Sequence, residues 1–147
     1  MIWNVIFAVV FCSCYTYAGM TDEEVKIQFT KIVMKCQKDH PVEMNELLAL
    51  QSLQVPKNKD AKCLLACAYR AEGSMDAKGM YDLEHAYKLA ETTQKGDDKR
   101  MANAKKLADI CSKINEEAVS DGEKGCERAT LLFKCIIDNA PKLGFKV

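Results

Sequence analysis

The sequence predicts an all-α, compact six-helix domain, and three observations carry that prediction. Apolar residues recur every three or four positions, which is the spacing of one face of a helix. Residues that start and end helices bracket these segments, and no segment alternates apolar and polar residues over the length of a strand. The chain has 147 residues, which is the length of one domain, and its eight cysteines indicate that disulfides staple it.

The first 18 residues are typical of a secretory signal peptide. They contain no Asp, Glu, Lys or Arg, and a continuous apolar run extends from Val5 to Phe11. Thr16 and Ala18 place small residues three positions and one position before a cleavage point. The apolar run is too short to favour a membrane anchor. We therefore expect residues 1–18 to be a signal peptide and residues 19–147 to form a secreted, extracellular domain.

The composition argues against several classes of function. Lys and Arg number 21, as do Asp and Glu, so the sequence has no net charge and no basic stripe for nucleic acid. Asp39–His40 is similar to the His-Asp pairs of secreted phospholipases, but no glycine-rich calcium loop lies near it. Motifs of the GxSxG and HExxH type are absent as well. We expect neither catalysis nor a cofactor or metal ion.

The first half of the domain reads as three helices. Helix one is predicted over residues 21–37, with Thr21 and Glu24 in a capping box. Pro41 is positioned to start a short second helix, which ends before Val55–Pro56. Helix three runs from residue 58 to residue 72. The apolar face of helix one carries Val25, Phe29, Ile32, Val33 and Cys36.

The second half reads as three more helices and a tail. Gly73 is a C-terminal cap for helix three, and a loop over residues 74–80 leads to helix four over residues 82–93. Helix five follows Gly96 and carries apolar residues as far as Ile114. Helix six follows a glycine-containing loop, and Pro141 and Gly144 then release a short tail. The faces of helices four and five carry Leu83, Ala86, Tyr87 and Ala90, and Met101, Ala104, Ala108, Cys111 and Ile114.

Cysteine spacing restricts the disulfides. An even number in a secreted chain indicates three bridges. Cys63 and Cys67 would share a helical face with Cβ atoms about 5–6 Å apart, wider than the roughly 3.5–4.5 Å of a disulfide. Cys126 and Cys135 would point to opposite sides of helix six. Geometry excludes these two local pairs and leaves the other pairings open. The six cysteines after residue 18 are Cys36, Cys63, Cys67, Cys111, Cys126 and Cys135.

The same spacing resembles the six-cysteine odorant-binding proteins of insects, which include the pheromone-binding and general odorant-binding proteins. It reads C-x26-C-x3-C-x43-C-x14-C-x8-C, and the segments Lys62–Cys67 and Gly73–Met75 are also similar to that family. The resemblance covers nearly all of residues 19–147. It implies six helices around an apolar cavity and three interlocked disulfides: Cys36–Cys67, Cys63–Cys126 and Cys111–Cys135.

Composition alone would favour a solid core, and the cavity is an expectation drawn from the resemblance. An internal void destabilises a domain by about 24 cal/mol per Å³, and disulfides can offset that loss of stability. The candidate ligand-binding residues combine apolar character with the family's pattern. They are Phe29, Ile32, Leu53, Leu65, Tyr69, Met75, Met80, Leu89, Ala108, Leu132, Phe133 and Ile136, with Phe145 and Val147 of the tail.

Two devices could tune binding. The Tyr69 hydroxyl could orient a ligand oxygen. The tail from residue 140 to residue 147 could close over the cavity as a lid, held by hydrogen bonds of the Val147 carboxylate and released as the pH falls. His40 and His85 are further candidate pH sensors, although solvated surface histidines are the commoner case.

The predicted function is a secreted carrier of small hydrophobic molecules, such as odorants or pheromones, through extracellular fluid. The same chemistry would serve taste, reproduction or general transport, so a non-olfactory carrier is the first alternative. A secreted interaction module without a cavity is the second. The expected partners are a small hydrophobic ligand and, by resemblance, a membrane chemoreceptor, and the chain is expected to be a monomer or a weak homodimer.

Overall fold

The computed structural model describes residues 19–147, and the predicted signal peptide lies outside the described residues. The described part contains six α-helices and short 3₁₀ turns, and within it the only β-type pairing is an isolated bridge between Met75 and Tyr81. None of its helices has the length and apolar character needed to cross a bilayer. The helices are α1 (Asp22–Cys36), α2 (Met44–Gln51), α3 (Lys59–Glu72), α4 (Leu83–Thr93), α5 (Asp98–Ser112) and α6 (Cys126–Asn139).

Polar caps explain where most of these helices begin. The Thr21 hydroxyl accepts a hydrogen bond from the Glu24 amide, and the Glu24 carboxylate accepts one from the Thr21 amide at 2.7 Å, which completes the predicted capping box. The side chains of Asn58, Asp82 and Asp97 accept amide hydrogen bonds at the starts of α3, α4 and α5.

Gly73 ends α3 as predicted, because the chain needs a left-handed residue at that point. Its φ is +102°, and its amide donates to the carbonyls of Tyr69 and Arg70. A Cβ at this position would lie 2.3 Å from the His85 ring, so the same glycine lets α4 approach the end of α3 closely.

Two local expectations are wrong. Pro41 does not start α2, which begins at Met44 after Glu43, although the Glu43 side chain makes no capping hydrogen bond. Ile114 belongs to a 3₁₀ turn, Lys113–Glu116, after α5 has ended. The second helix does end before Val55–Pro56, at Gln51, and Leu53 then turns the chain with a φ of +60°.

The disulfide pairing implied by the resemblance is confirmed. Cys36–Cys67 joins α1 to α3, Cys63–Cys126 joins α3 to α6, and Cys111–Cys135 joins α5 to α6. The three Cα–Cα separations are 5.9, 4.4 and 5.7 Å. Helix α3 is therefore tied to two neighbours, and so is α6.

The core lies around α3, which packs mainly against α6 and α1. Leu64 and Leu65 of α3 and Leu132 of α6 are among its most deeply buried side chains. Arg128 of α6 is also buried, and its guanidinium donates to the carbonyls of Ile114 and Glu117. Because these carbonyls belong to the turn after α5, the buried arginine fixes that turn against α6.

Candidate ligand-binding pocket

The six helices leave a pocket of about 350 Å³ beside the core. Side chains from all six helices border it, together with the end of the tail. Most of them are aliphatic or aromatic, and the polar ones are few. A pocket of this volume and composition is typical of a small-molecule site.

Most of the residues predicted to contact a ligand border this pocket. Five of the six helices contribute to this set, since their residues lie on faces that turn inward at helical spacing. Those that border it are Phe29, Leu53, Leu65, Tyr69, Leu89, Ala108, Leu132, Phe133, Ile136 and Val147.

Ile32, Met75, Met80 and Phe145 lie elsewhere. Ile32 is half-buried on α1, one position before Val33, which does border the pocket. Met75 is only 2% exposed and belongs to the core beneath the loop between α3 and α4. Met80 is half-buried in the same loop. Phe145 lies against Arg100, whose guanidinium carbon is 4.6 Å from the centre of its ring.

Several pocket residues were missed although the sequence carries a signal for them. Val25 and Val33 of α1 share the predicted apolar face with Phe29. Continuing the spacing of each predicted face would have found the others of this kind. These are Ala86 and Ala90 of α4, and Ala104 of α5.

The aromatic part of the wall is formed by Phe29 and Tyr69. Their ring centres are 5.2 Å apart and their planes are tilted by 37°, a favourable arrangement for two aromatic rings. Tyr69 is 4% exposed, and its hydroxyl has no hydrogen-bond partner among residues 19–147. Burial, with the negative charge of Glu72 as a second cause, raises the pKa of Tyr69 well above its ordinary value. The hydroxyl therefore remains neutral and available to a ligand.

A carboxyl group lies in the wall of the pocket near Tyr69. Glu72 is the last residue of α3, and its Oε2 accepts a hydrogen bond from the Ser74 hydroxyl at 2.6 Å. Burial raises the pKa of Glu72, while the Ser74 hydrogen bond and the His85 ring oppose that rise. Glu72 also contributes, after burial, to raising the pKa of Tyr81. The largely apolar wall thus has a polar section, which is formed by Tyr69, Glu72, Ser74 and Tyr81.

The end of the tail borders the pocket, and the tail is held at its base by Arg100. The Arg100 guanidinium pairs with the Asp22 carboxylate, donates to the Gly144 carbonyl at 3.2 Å and lies over Phe145. Asp22 also accepts a hydrogen bond from the Lys146 amide at 3.0 Å. Among the described residues, the hydrogen bonds that hold the tail involve its backbone carbonyl and amide groups, and none involves the Val147 carboxylate. We call Asp22, Arg100 and residues 144–146 the tail clasp.

The two histidines occupy different settings. The His85 Nε2 is 3.0 Å from the carbonyl oxygen of Glu72, so this nitrogen carries a proton and donates it. His40 lies in the turn between α1 and α2, and its amide donates to the Cys36 carbonyl. Neither residue borders the pocket.

Solved structures and curated proteins provide the comparison. An odorant-binding protein of Drosophila melanogaster, dmelOBP28a, superposes with a TM-score of 0.64 over 85% of this chain and 99% of its own, at 22% identity. Odorant binding protein 5 of Apis mellifera superposes with a TM-score of 0.63 over 87% of this chain and 99% of its own, at 15% identity. At these identities the likeness establishes the fold.

The sequence comparisons extend beyond the fold. General odorant-binding protein 19d of Drosophila melanogaster is 23% identical over 138 residues, which cover 94% of this chain and 89% of that protein. The PBP/GOBP family matches residues 18–139, which include all six helices and all three disulfides. On this match, and with the fold and the cysteine pairing agreeing with it, the chain is a member of the PBP/GOBP family.

Proposed function

We propose that this protein is a secreted carrier that binds small hydrophobic molecules in the pocket and transports them through extracellular fluid. The observation that carries the proposal is the largely apolar pocket of about 350 Å³ among the six helices, four of which are linked by disulfides. Apolar ligands are poorly soluble, and burying their surface is worth about 25 cal/mol per Å². The names of the relatives, which are odorant-binding proteins, agree with an odorant or pheromone-like ligand.

The contacts of the tail clasp favour a role for the tail as a lid that controls exchange of the ligand. Val147 and Lys146 border the pocket, so the tail must shift if a ligand is to pass on that side. Loss of the Asp22 charge would release both Arg100 and the Lys146 amide. We propose that the Asp22 carboxylate holds the lid in its closed position, in place of the Val147 carboxylate expected from the sequence.

A displacement experiment tests the carrier function. A neutral fluorescent probe should bind one molecule per chain, and small apolar compounds should displace it. The variant Ala104→Phe fills the pocket and should weaken probe binding by at least about tenfold, because the new ring occupies the ligand's space. The control is Ala102→Phe, which adds the same ring at an exposed position two residues away on α5.

The outcome separates the alternatives. Equal probe binding by the two variants would place the ligand outside this pocket and overturn the proposal. A wild-type protein that binds no probe would instead favour a secreted interaction module. Mass spectrometry of lipids that co-purify with the native protein would distinguish an olfactory ligand from one suited to general transport.

A further inference from the structure

We propose that Glu72 makes one end of the pocket a receptor for the protonated amine of an otherwise apolar ligand. The inference rests on the proposed carrier function and adds a class of ligand to it. It starts from Glu72 itself, which lines the pocket beside the buried Tyr69 and is held there by the Ser74 hydroxyl.

The Glu72 carboxylate has unused capacity to accept hydrogen bonds. Its Oε2 accepts from Ser74, but its Oε1 has no partner among residues 19–147. The hydroxyls of Thr30 and Thr93, which also line the pocket, instead donate to backbone carbonyls of their own helices. A ligand that donates a hydrogen bond would therefore find its strongest acceptor at Glu72.

No fixed cation balances this carboxylate within the described residues. The ion pairs found there are Lys88–Glu84, Arg100–Asp22, Lys105–Glu91 and Lys134–Asp138. The groups that face Glu72 are Ser74, the hydroxyls of Tyr69 and Tyr81, and the ring of His85 from α4. The His85 Nε2 donates to the Glu72 backbone carbonyl, so it is not available to the carboxylate.

The end of α3 adds to the attraction for a positive charge. Glu72 lies at the C-terminus of a 14-residue helix, where the helix dipole places partial negative charge. Backbone and side chain thus favour a cation at the same point. An ionised carboxylate in an apolar wall is also costly without a partner, and an ammonium group provides one of opposite charge. Aldehydes and esters carry no proton to donate and gain nothing there.

Competition with the neutral probe tests the preference for a protonated amine. The experiment is done at about pH 8, where an alkylamine is protonated and an ordinary carboxyl is ionised. Octylamine, octanol and octanal share one apolar chain and differ only in the head group. Octylamine should displace the probe at about tenfold lower concentration than octanol, the effect of a hydrogen bond to a charged group. Octanal should bind no better than octanol.

Two variants assign that preference to Glu72. Glu72→Gln should abolish the preference for octylamine and leave octanol binding within about twofold, because the amide keeps the size but lacks the charge. Glu116→Gln removes a charge at an exposed position outside the pocket, and it should retain the preference.

The possible outcomes separate the inference from the carrier function. Equal binding of the amine and the alcohol by the wild-type protein would overturn the inference, as would a preference that survives in Glu72→Gln. If the probe and octanol bind normally in those cases, the carrier function stands. Failure of the probe to bind the wild-type protein would overturn both.

Discussion

Single residues of the pocket wall differ in whether the protein satisfies their polar groups. Thr30 and Thr93 donate to the backbone of their own helices, and their hydroxyls add little to the chemistry of the pocket. The Tyr69 hydroxyl and the Glu72 Oε1 have no such partner among the described residues. These two groups are therefore candidates for matching the polar features of a ligand.

Tyr69→Phe should weaken the binding of alcohols, aldehydes and esters by roughly threefold to tenfold, the effect of one hydrogen bond. Binding of a purely apolar probe should change little, because the ring and its packing against Phe29 remain. Competition titrations with matched apolar and oxygenated compounds measure the difference. Equal losses for the two kinds of ligand would contradict a hydrogen-bonding role for Tyr69.

Glu72 should make stability depend on pH with a defined sign. Burial raises its pKa in the folded protein above the ordinary value of 4.5. As the pH rises from about 4 towards the raised pKa, the unfolded chain loses this proton first, so the folded state loses stability over that window. The difference in unfolding free energy between wild type and Glu72→Gln should therefore fall with rising pH and then level off. Urea denaturation at several pH values measures it, and a rising or flat difference would refute the assignment.

At the level of elements, the capping box of α1 supplies a test of local stability. Thr21→Ala removes the hydroxyl that accepts the Glu24 amide and should reduce the free energy of unfolding by about 1 kcal/mol. Thr92→Ala is the matched control, since this exposed threonine lies inside α4 and should change stability by less than about 0.5 kcal/mol. Thermal and urea denaturation measure both. A loss as small as that of the control would show that the cap frays in solution.

The tail clasp is an element whose effect should appear in ligand affinity. Asp22→Asn removes the charge that holds Arg100 and weakens the acceptor of the Lys146 amide. We expect probe affinity to fall by roughly threefold to tenfold, as for the loss of one partly buried charged contact. Asp98→Asn changes an exposed carboxylate on α5 and should have no effect. An unchanged affinity in Asp22→Asn would show that the tail does not restrain the ligand.

The helices could be predicted because their signals are local. Capping residues such as Thr21 and the C-terminal Gly73 act within one turn, and the periodicity of apolar residues extends along each helix. The left-handed turn at Leu53, just after α2, could not be predicted, because apolar residues rarely take that conformation. The prediction that Pro41 starts α2 was wrong because proline is compatible both with the first turn of a helix and with the extended chain that precedes a helix.

For the whole molecule, interlocked disulfides should contribute unequally to stability. Cys63–Cys126 spans 63 positions and Cys111–Cys135 spans 24. Replacing both cysteines of a pair by alanine should lower the free energy of unfolding by roughly 4.3 kcal/mol for the longer loop and roughly 3.4 kcal/mol for the shorter one, on chain entropy alone. Urea denaturation of the two double variants gives the order. The reverse order would show that local packing outweighs loop length.

The pocket was less predictable than the fold because it depends on how helices pack across the molecule. Phe29 and Leu132 could be chosen because they lie on inward faces, and the structure places them at the pocket. Phe145 could not be placed, since its partner Arg100 is distant in the sequence and polar. Glu72 was overlooked for a similar reason. A glutamate at a helix end looks like a surface residue until the neighbouring loop covers it.

Arg100 has a consequence for how the closed state gives way. It holds Gln94, Asp22 and the tail at the same time, so the start of α1, the junction of α4 with α5 and the tail share one guanidinium. Opening at this side of the pocket should then occur as one cooperative event rather than as fraying of the tail alone. In amide hydrogen exchange, the Lys146 amide and the amides of the first turn of α1, which starts at Asp22, should therefore lose their protection in the same opening event. A bound ligand should slow all of these amides by a common factor.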